Sequence, residues 1–124
     1  MDIIVLDDHP EDIRPLLKAI FQGDTLTFVT MPYEALTKLS SEKFDLMFLD
    51  GDLGAGGNGP DVLLGWKTAG LALPPIAMFS ADEKYRRQGL EAGALCAIDK
   101  ADCDFAAFEE LKRRVSANYS GQPG

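Results

Sequence analysis

Short runs of consecutive apolar residues alternate along this chain with longer stretches in which apolar residues recur every three or four positions. The first pattern suits a strand buried on both faces, and the second suits one face of a helix. Ile3-Ile4-Val5-Leu6 opens the series as a strand. Ile13, Leu16, Leu17, Ile20 and Phe21 then mark a helix, and Pro15 removes a backbone donor inside it, so that helix is bent or begins late. Thr25 to Thr30 reads as a second strand. Pro32, suited to a first turn, opens a helix carrying Ala35, Leu36 and Leu39. The third strand is Phe44 to Leu49, ending at Asp50. A polar, glycine-rich loop from Gly51 to Gly59 leads to a helix from about Pro60 to Ala69. Ile76 to Phe79 is the fourth strand, about Glu83 to Ala92 its helix, Ala94 to Ile98 a weaker fifth strand, and about Phe105 to Asn118 the last helix.

Five strands alternating with five helices imply an α/β domain: a doubly wound parallel sheet with helices on both faces, joined by right-handed crossovers. Residues 1–118 make that one domain, and residues 119–124 read as a flexible tail, since Ser120 to Gly124 carries no apolar residue. In such a sheet a ligand binds beyond the carboxyl ends of the strands, where strand order reverses.

Charge narrows the partners. Twenty Asp and Glu against 12 Lys and Arg leave a net charge of −8, which disfavours a nucleic-acid surface and suits a hard cation held by converging carboxylates. No apolar run approaches the roughly 20 residues of a membrane span and the opening is not signal-like, so a cytoplasmic location is expected. Cys96 and Cys103 have neither CxxC spacing nor a neighbouring His and read as reduced thiols.

The strand ends carry the chemistry. They are Asp7-Asp8, Asp50-Gly51-Asp52, Ser80 and Asp99-Lys100, on the first, third, fourth and fifth strands. Three carboxylates converging there would repel one another without a cation, and their oxygens suit Mg²⁺. A hydroxyl and an ammonium on the same rim can hold phosphoryl oxygens, and a carboxylate beside the metal can be a nucleophile.

With VLDD on the first strand, FDLMFLD on the third, MFSAD on the fourth and IDK on the fifth, residues from about 2 to 118 resemble the receiver domain of two-component response regulators. The resemblance implies a flavodoxin-like receiver fold with strand order 2-1-3-4-5. It also implies a signalling domain that is no enzyme beyond the phosphorylation and dephosphorylation of its own aspartate. Asp50 would be the phosphoacceptor and share the Mg²⁺, which Asp8 binds directly, Asp7 through water and Asp52 through its main-chain carbonyl. Ser80 would bond a phosphoryl oxygen, and Lys100 would pair with the phosphoryl group. The implied partners are a histidine kinase or histidine phosphotransfer protein and a downstream protein target, with no nucleic acid and no membrane. The chain would be a monomer or a weak, phosphorylation-dependent dimer.

Three positions depart from that family. Ala97 stands where a Tyr or Phe usually couples the hydroxyl to the last helices. Ala101 replaces the Pro after the lysine, so the cis peptide common there loses its usual cause. GDLGAGGNGP replaces a Met-Pro segment after the phosphoacceptor; DGDLG also looks somewhat like a variant receiver-like group tied to cyclic-phosphate processing, with Gly51 in place of its His.

Plainer readings stand beside these. Asp7 and Asp8 alone could be helix N-terminal acids, Asp50 a turn residue, Ser80 a cap and Lys100 a solvated lysine; only their register together points to a site. His9 reads as an exposed loop residue with nothing to pair it, and Trp66 as core packing. GAGGNG matches GxGxxG, with Asp82 at about the right separation. Asp50 and Asp52 intervene, however, and would oppose a pyrophosphate, so the glycines read as a flexible connection over the metal site.

The leading reading is a stand-alone receiver whose output is a protein contact, a relay or a phosphate sink. Asp52 and Asp82 occupy positions that in the resembling family tune hydrolysis. A small Mg²⁺-dependent phosphatase with Asp50 as nucleophile is the second reading, although such an enzyme would usually need a substrate cap. A protein-binding module independent of phosphorylation is the third.

Overall fold

The computed structural model describes residues 1–120, with side chains through Ala117. Its strands are β1 (Asp2–Leu6), β2 (Thr25–Val29), β3 (Leu46–Leu49), β4 (Ile76–Ser80) and β5 (Cys96–Asp99). Its helices are α1 (Arg14–Ile20), α2 (Pro32–Ser41), α3 (Gly59–Thr68), α4 (Glu83–Glu91) and α5 (Phe105–Ser120). All strand pairs are parallel, in the order β2-β1-β3-β4-β5. The chain is an α/β doubly wound sheet, as the alternation of apolar runs implies.

Because side chains alternate along a strand, each central strand feeds two cores. Ile3, Val5, Leu46, Phe48, Ala77, Phe79 and Ile98 face α1 and α5, where Leu17, Phe108 and Leu111 meet them. Ile4, Leu6, Met47, Leu49, Ile76 and Met78 face the other side, with Ala35 of α2 and Leu63 and Trp66 of α3. On the first face Phe21, Phe48, Phe79 and Phe108 meet mostly edge to face, with centroids 5.6 to 6.3 Å apart. Each fully buried ring stabilises the fold by about 1.5–3 kcal/mol.

Several boundaries shift for identifiable reasons. The first helix begins late: Pro10–Asp12 forms a 3-10 turn, and Pro15 sits at the start of α1, where its missing N–H costs no helical bond. β3 starts at Leu46 instead of Phe44, because Asp45 pairs with Asp2 through its side chain as well as its backbone. β4 gains Ser80, and β5 runs Cys96–Asp99 instead of Ala94 to Ile98. The last helix continues past Asn118 to Ser120, so the expected tail of 119–124 starts inside it; residues 121–124 lie outside the described residues.

The Gly51–Gly59 loop is more than a slack connection. Gly54–Gly56 is a 3-10 turn, Asp52 and Asn58 form an antiparallel bridge, and Leu53 is buried in the α3 core. Gly54 and Gly57 take positive φ, 60° and 91°, which closes this small hairpin at little cost. Two open hollows of about 660 and 810 Å³ lie at the opposite, amino end of the strands, lined in part by Leu73, Pro74 and Pro75. Neither touches the acidic strand ends.

Candidate functional site

Strand pairing delivers the acids to one rim. Asp7 follows β1 and its N–H donates to the Val29 carbonyl at 3.1 Å; Asp50 follows β3 and its N–H donates to the Leu6 carbonyl at 2.9 Å. Lys100 follows β5, with its N–H donating to the Ser80 carbonyl at 3.2 Å. Backbone ladders thus bring together residues far apart in sequence.

Asp7, Asp8 and Asp50 each offer a carboxylate oxygen, and these oxygens lie within 4.8 Å of one another. The Lys100 ammonium reaches across them, 2.7 Å from Asp7 Oδ2 and 3.1 Å from Asp50 Oδ1. Asp7 is buried, and its other oxygen accepts from the His9 N–H at 2.8 Å. Burial pushes the Asp50 carboxyl up from 3.8 to about 6; Lys100 pulls it down and the Asp7 charge pushes it further up. For Lys100 burial lowers the value, but the bond to Asp7 and the Asp50 charge prevail and hold it above its ordinary 10.5. Three carboxylates against one ammonium leave an excess of negative charge, and oxygen donors of this kind fit a hard divalent cation such as Mg²⁺.

The remaining expected residues divide. Ser80 is buried at the end of β4, and its Oγ accepts from the Asp82 N–H at 3.2 Å. It lies beside Gly51: a Cβ built on that glycine would come within 2.5 Å of Ser80 Oγ and 2.6 Å of Tyr85 Cβ. A histidine at position 51, as in the variant receiver-like group, does not fit this packing. The Asp52 side chain turns into the loop and accepts from the Gly54 N–H at 2.9 Å, outside the acidic cluster. Asp99 also turns away, 3.4 Å from Arg86 Nη1.

Some features had no sequence signal. Arg86 donates to the Ser80 carbonyl at 2.9 Å while meeting Asp99, tying α4 to two strand ends, yet an arginine in a helix's first turn looks like any solvated cation. His9 is exposed but not isolated: its ring nitrogens lie 3.6 Å from Asp8 and 3.7 Å from Glu11. Ala97 pairs with Met78 in the sheet and packs on the α3 side, and Met78 fills the space over Gly89 of α4. Trp66 is core, as its helical position suggests, and no helix among the described residues is long and apolar enough to cross a membrane.

Comparison with known proteins agrees with this arrangement. No family model matches the chain. It is 35% identical over 119 residues to the swarming motility regulation protein RssB of Serratia marcescens, covering 94% of this chain and 52% of that protein. The chain therefore spans about half the length of the curated relative it matches. Among solved structures, a CheY-like response regulator receiver domain from Methanospirillum hungatei superposes with a TM-score of 0.75 at 23% identity, covering 97% of both chains. The receiver domain of a Francisella response regulator gives a TM-score of 0.73 at 22% identity over 96% of both chains. At those identities the structures speak for the fold, and the Serratia relative extends the likeness to sequence. Sheet order, strand-end residues and relatives converge: the chain has the receiver-domain fold and is similar to the receiver domains of two-component response regulators.

Proposed function

We propose that this chain accepts a phosphoryl group on Asp50 from a histidine kinase or histidine phosphotransfer protein, in a Mg²⁺-dependent step, and so switches or relays a two-component signal. The observation that carries the reading is the convergence of Asp7, Asp8 and Asp50 with Lys100 bridging Asp7 and Asp50. With its carboxyl near 6, Asp50 is mostly ionised at neutral pH and able to act as nucleophile. One of its oxygens bonds to phosphorus as the bond to the donor nitrogen breaks, and that bond's electron pair returns to the nitrogen.

Asp7, Asp8 and Asp50 hold the cation, with the Asp52 main-chain carbonyl as a further ligand. Bound Mg²⁺ supplies positive charge against the phosphoryl oxygens. Lys100 swings from the carboxylates to a phosphoryl oxygen, and Ser80, whose Oγ accepts from the Asp82 N–H, donates its proton to another. Asp52 and Asp82, at positions that tune hydrolysis in receiver domains, govern how fast water removes the group. The product is an altered surface on a cytoplasmic, monomeric or weakly dimerising protein.

Mg²⁺ with beryllofluoride tests this. Trp66 shares a core layer with Leu49 and Leu53, which flank Asp50, so its fluorescence reports on loading. The expected result is a saturable change that needs both reagents and disappears in Asp50→Asn. No response at any concentration rules the reading out.

A further inference from the structure

Tyr85, in the first turn of α4, is not among the strand-end residues, yet it packs against them. The residue after Asp50 is Gly51, and it is buried. A Cβ there would meet Ser80 Oγ at 2.5 Å, Tyr85 Cβ at 2.6 Å and Tyr85 Cδ2 at 2.9 Å. Serine hydroxyl, tyrosine ring and the backbone next to Asp50 therefore share one small volume, and the missing side chain of Gly51 makes room for the ring. The same turn is fastened to Ser80 twice more: the Asp82 N–H donates to its Oγ at 3.2 Å, and Arg86 donates to its carbonyl at 2.9 Å. Asp82 in turn caps α4 by accepting from the Lys84 N–H at 2.8 Å.

We propose that Tyr85 is a positioning residue for the Asp50 site: seated in the space left by Gly51, it forces the first turn of α4 to follow the Ser80 hydroxyl when that hydroxyl turns toward a group carried on Asp50. The inference rests on the reading of Asp50 as acceptor. Close-packed groups do not slide past one another without a shift in one of them. When Ser80 Oγ leaves its place beside Gly51, the small space that the ring also borders opens and the Asp82 N–H loses its acceptor. Both sit on α4, so the helix start moves as a unit.

Backbone-amide NMR with Mg²⁺ and beryllofluoride separates the outcomes, comparing loaded and unloaded spectra within each variant. In the native protein, amides of Asp50 and Gly51 report loading, and amides from Lys84 to Arg87 report the helix. Tyr85→Ala keeps the shifts at Asp50 and Gly51 but loses most of the α4 shift, whereas Tyr85→Phe, which retains the ring, keeps both. Full α4 shifts in Tyr85→Ala overturn the inference while leaving the acceptor reading intact. Absence of loading shifts in all three proteins contradicts the acceptor reading itself, and the inference with it.

Discussion

The Lys100 ammonium lies 2.7 Å from Asp7 Oδ2, joining residues 93 positions apart across the carboxyl ends of β5 and β1. It also approaches Asp50, so one cation offsets part of the charge of three crowded acids. In Lys100→Ala the buried Asp7 and Asp50 lose that partner. We expect the metal-free protein to lose about 2 kcal/mol of stability, less than for a fully buried pair because Lys100 is partly exposed. Mg²⁺ binding, followed by thermal midpoint, should persist, while the Trp66 response to beryllofluoride is lost. An unchanged response in this variant would show that the ammonium has no part in holding the group.

Asp50 gives a pH dependence with a definite sign. Its carboxyl titrates at about 6 in the fold against an ordinary 3.8, chiefly because it is buried. Between those values the folded state holds a proton that the unfolded state has released, so this group lowers stability as pH rises through the window. Above about pH 6 the full cost persists, on the order of 1–3 kcal/mol. Metal-free Asp50→Asn should therefore be more stable than the parent at pH 8, with the difference vanishing below about pH 4. Chemical denaturation across that range checks it.

Two glycines of one helix should respond oppositely to alanine. Gly65 of α3 has nothing within 4 Å of a built Cβ, so Gly65→Ala gains about 0.5–1 kcal/mol of helix propensity. Gly59, at the start of the same helix, would place its Cβ 2.2 Å from the Asp50 carbonyl oxygen. Backbone on both sides cannot yield, and Gly59→Ala should cost more than about 2 kcal/mol. It should also weaken beryllofluoride binding by displacing Asp50. Thermal midpoints of the two variants decide the matter.

These glycines mark how far the sequence could be read. The strands were legible because β1, β3 and β4 are buried on both faces and so appear as continuous apolar runs. The placement of Asp7, Asp50 and Lys100 on one rim followed, since parallel pairing leaves little choice about where strand ends lie. What stayed hidden depends on contacts between elements. The fit of Tyr85 over Gly51, the double role of Arg86, and the bonded hairpin inside GDLGAGGNGP have no periodicity to announce them. His9 likewise looked unpaired until the turn at Pro10–Asp12 brought Glu11 alongside.

At the other end of the sheet, the Met1 ammonium donates to Asp24 at 2.7 Å, which raises it above its ordinary value of 8.0. A base raised in the fold contributes stability that is complete below about pH 8 and is lost as pH climbs through the folded value. Asp24→Asn should therefore cost about 1 kcal/mol at pH 7 and progressively less in alkaline solution. Urea midpoints at neutral and alkaline pH provide the comparison.

The most direct test is to treat the protein with a small acyl-phosphate donor and Mg²⁺, then measure intact mass and locate the adduct by peptide mapping. One phosphoryl group per chain is expected, on the peptide bearing Asp50, dependent on Mg²⁺ and absent in Asp50→Asn. An adduct elsewhere, an adduct that survives Asp50→Asn, or none at all would contradict it.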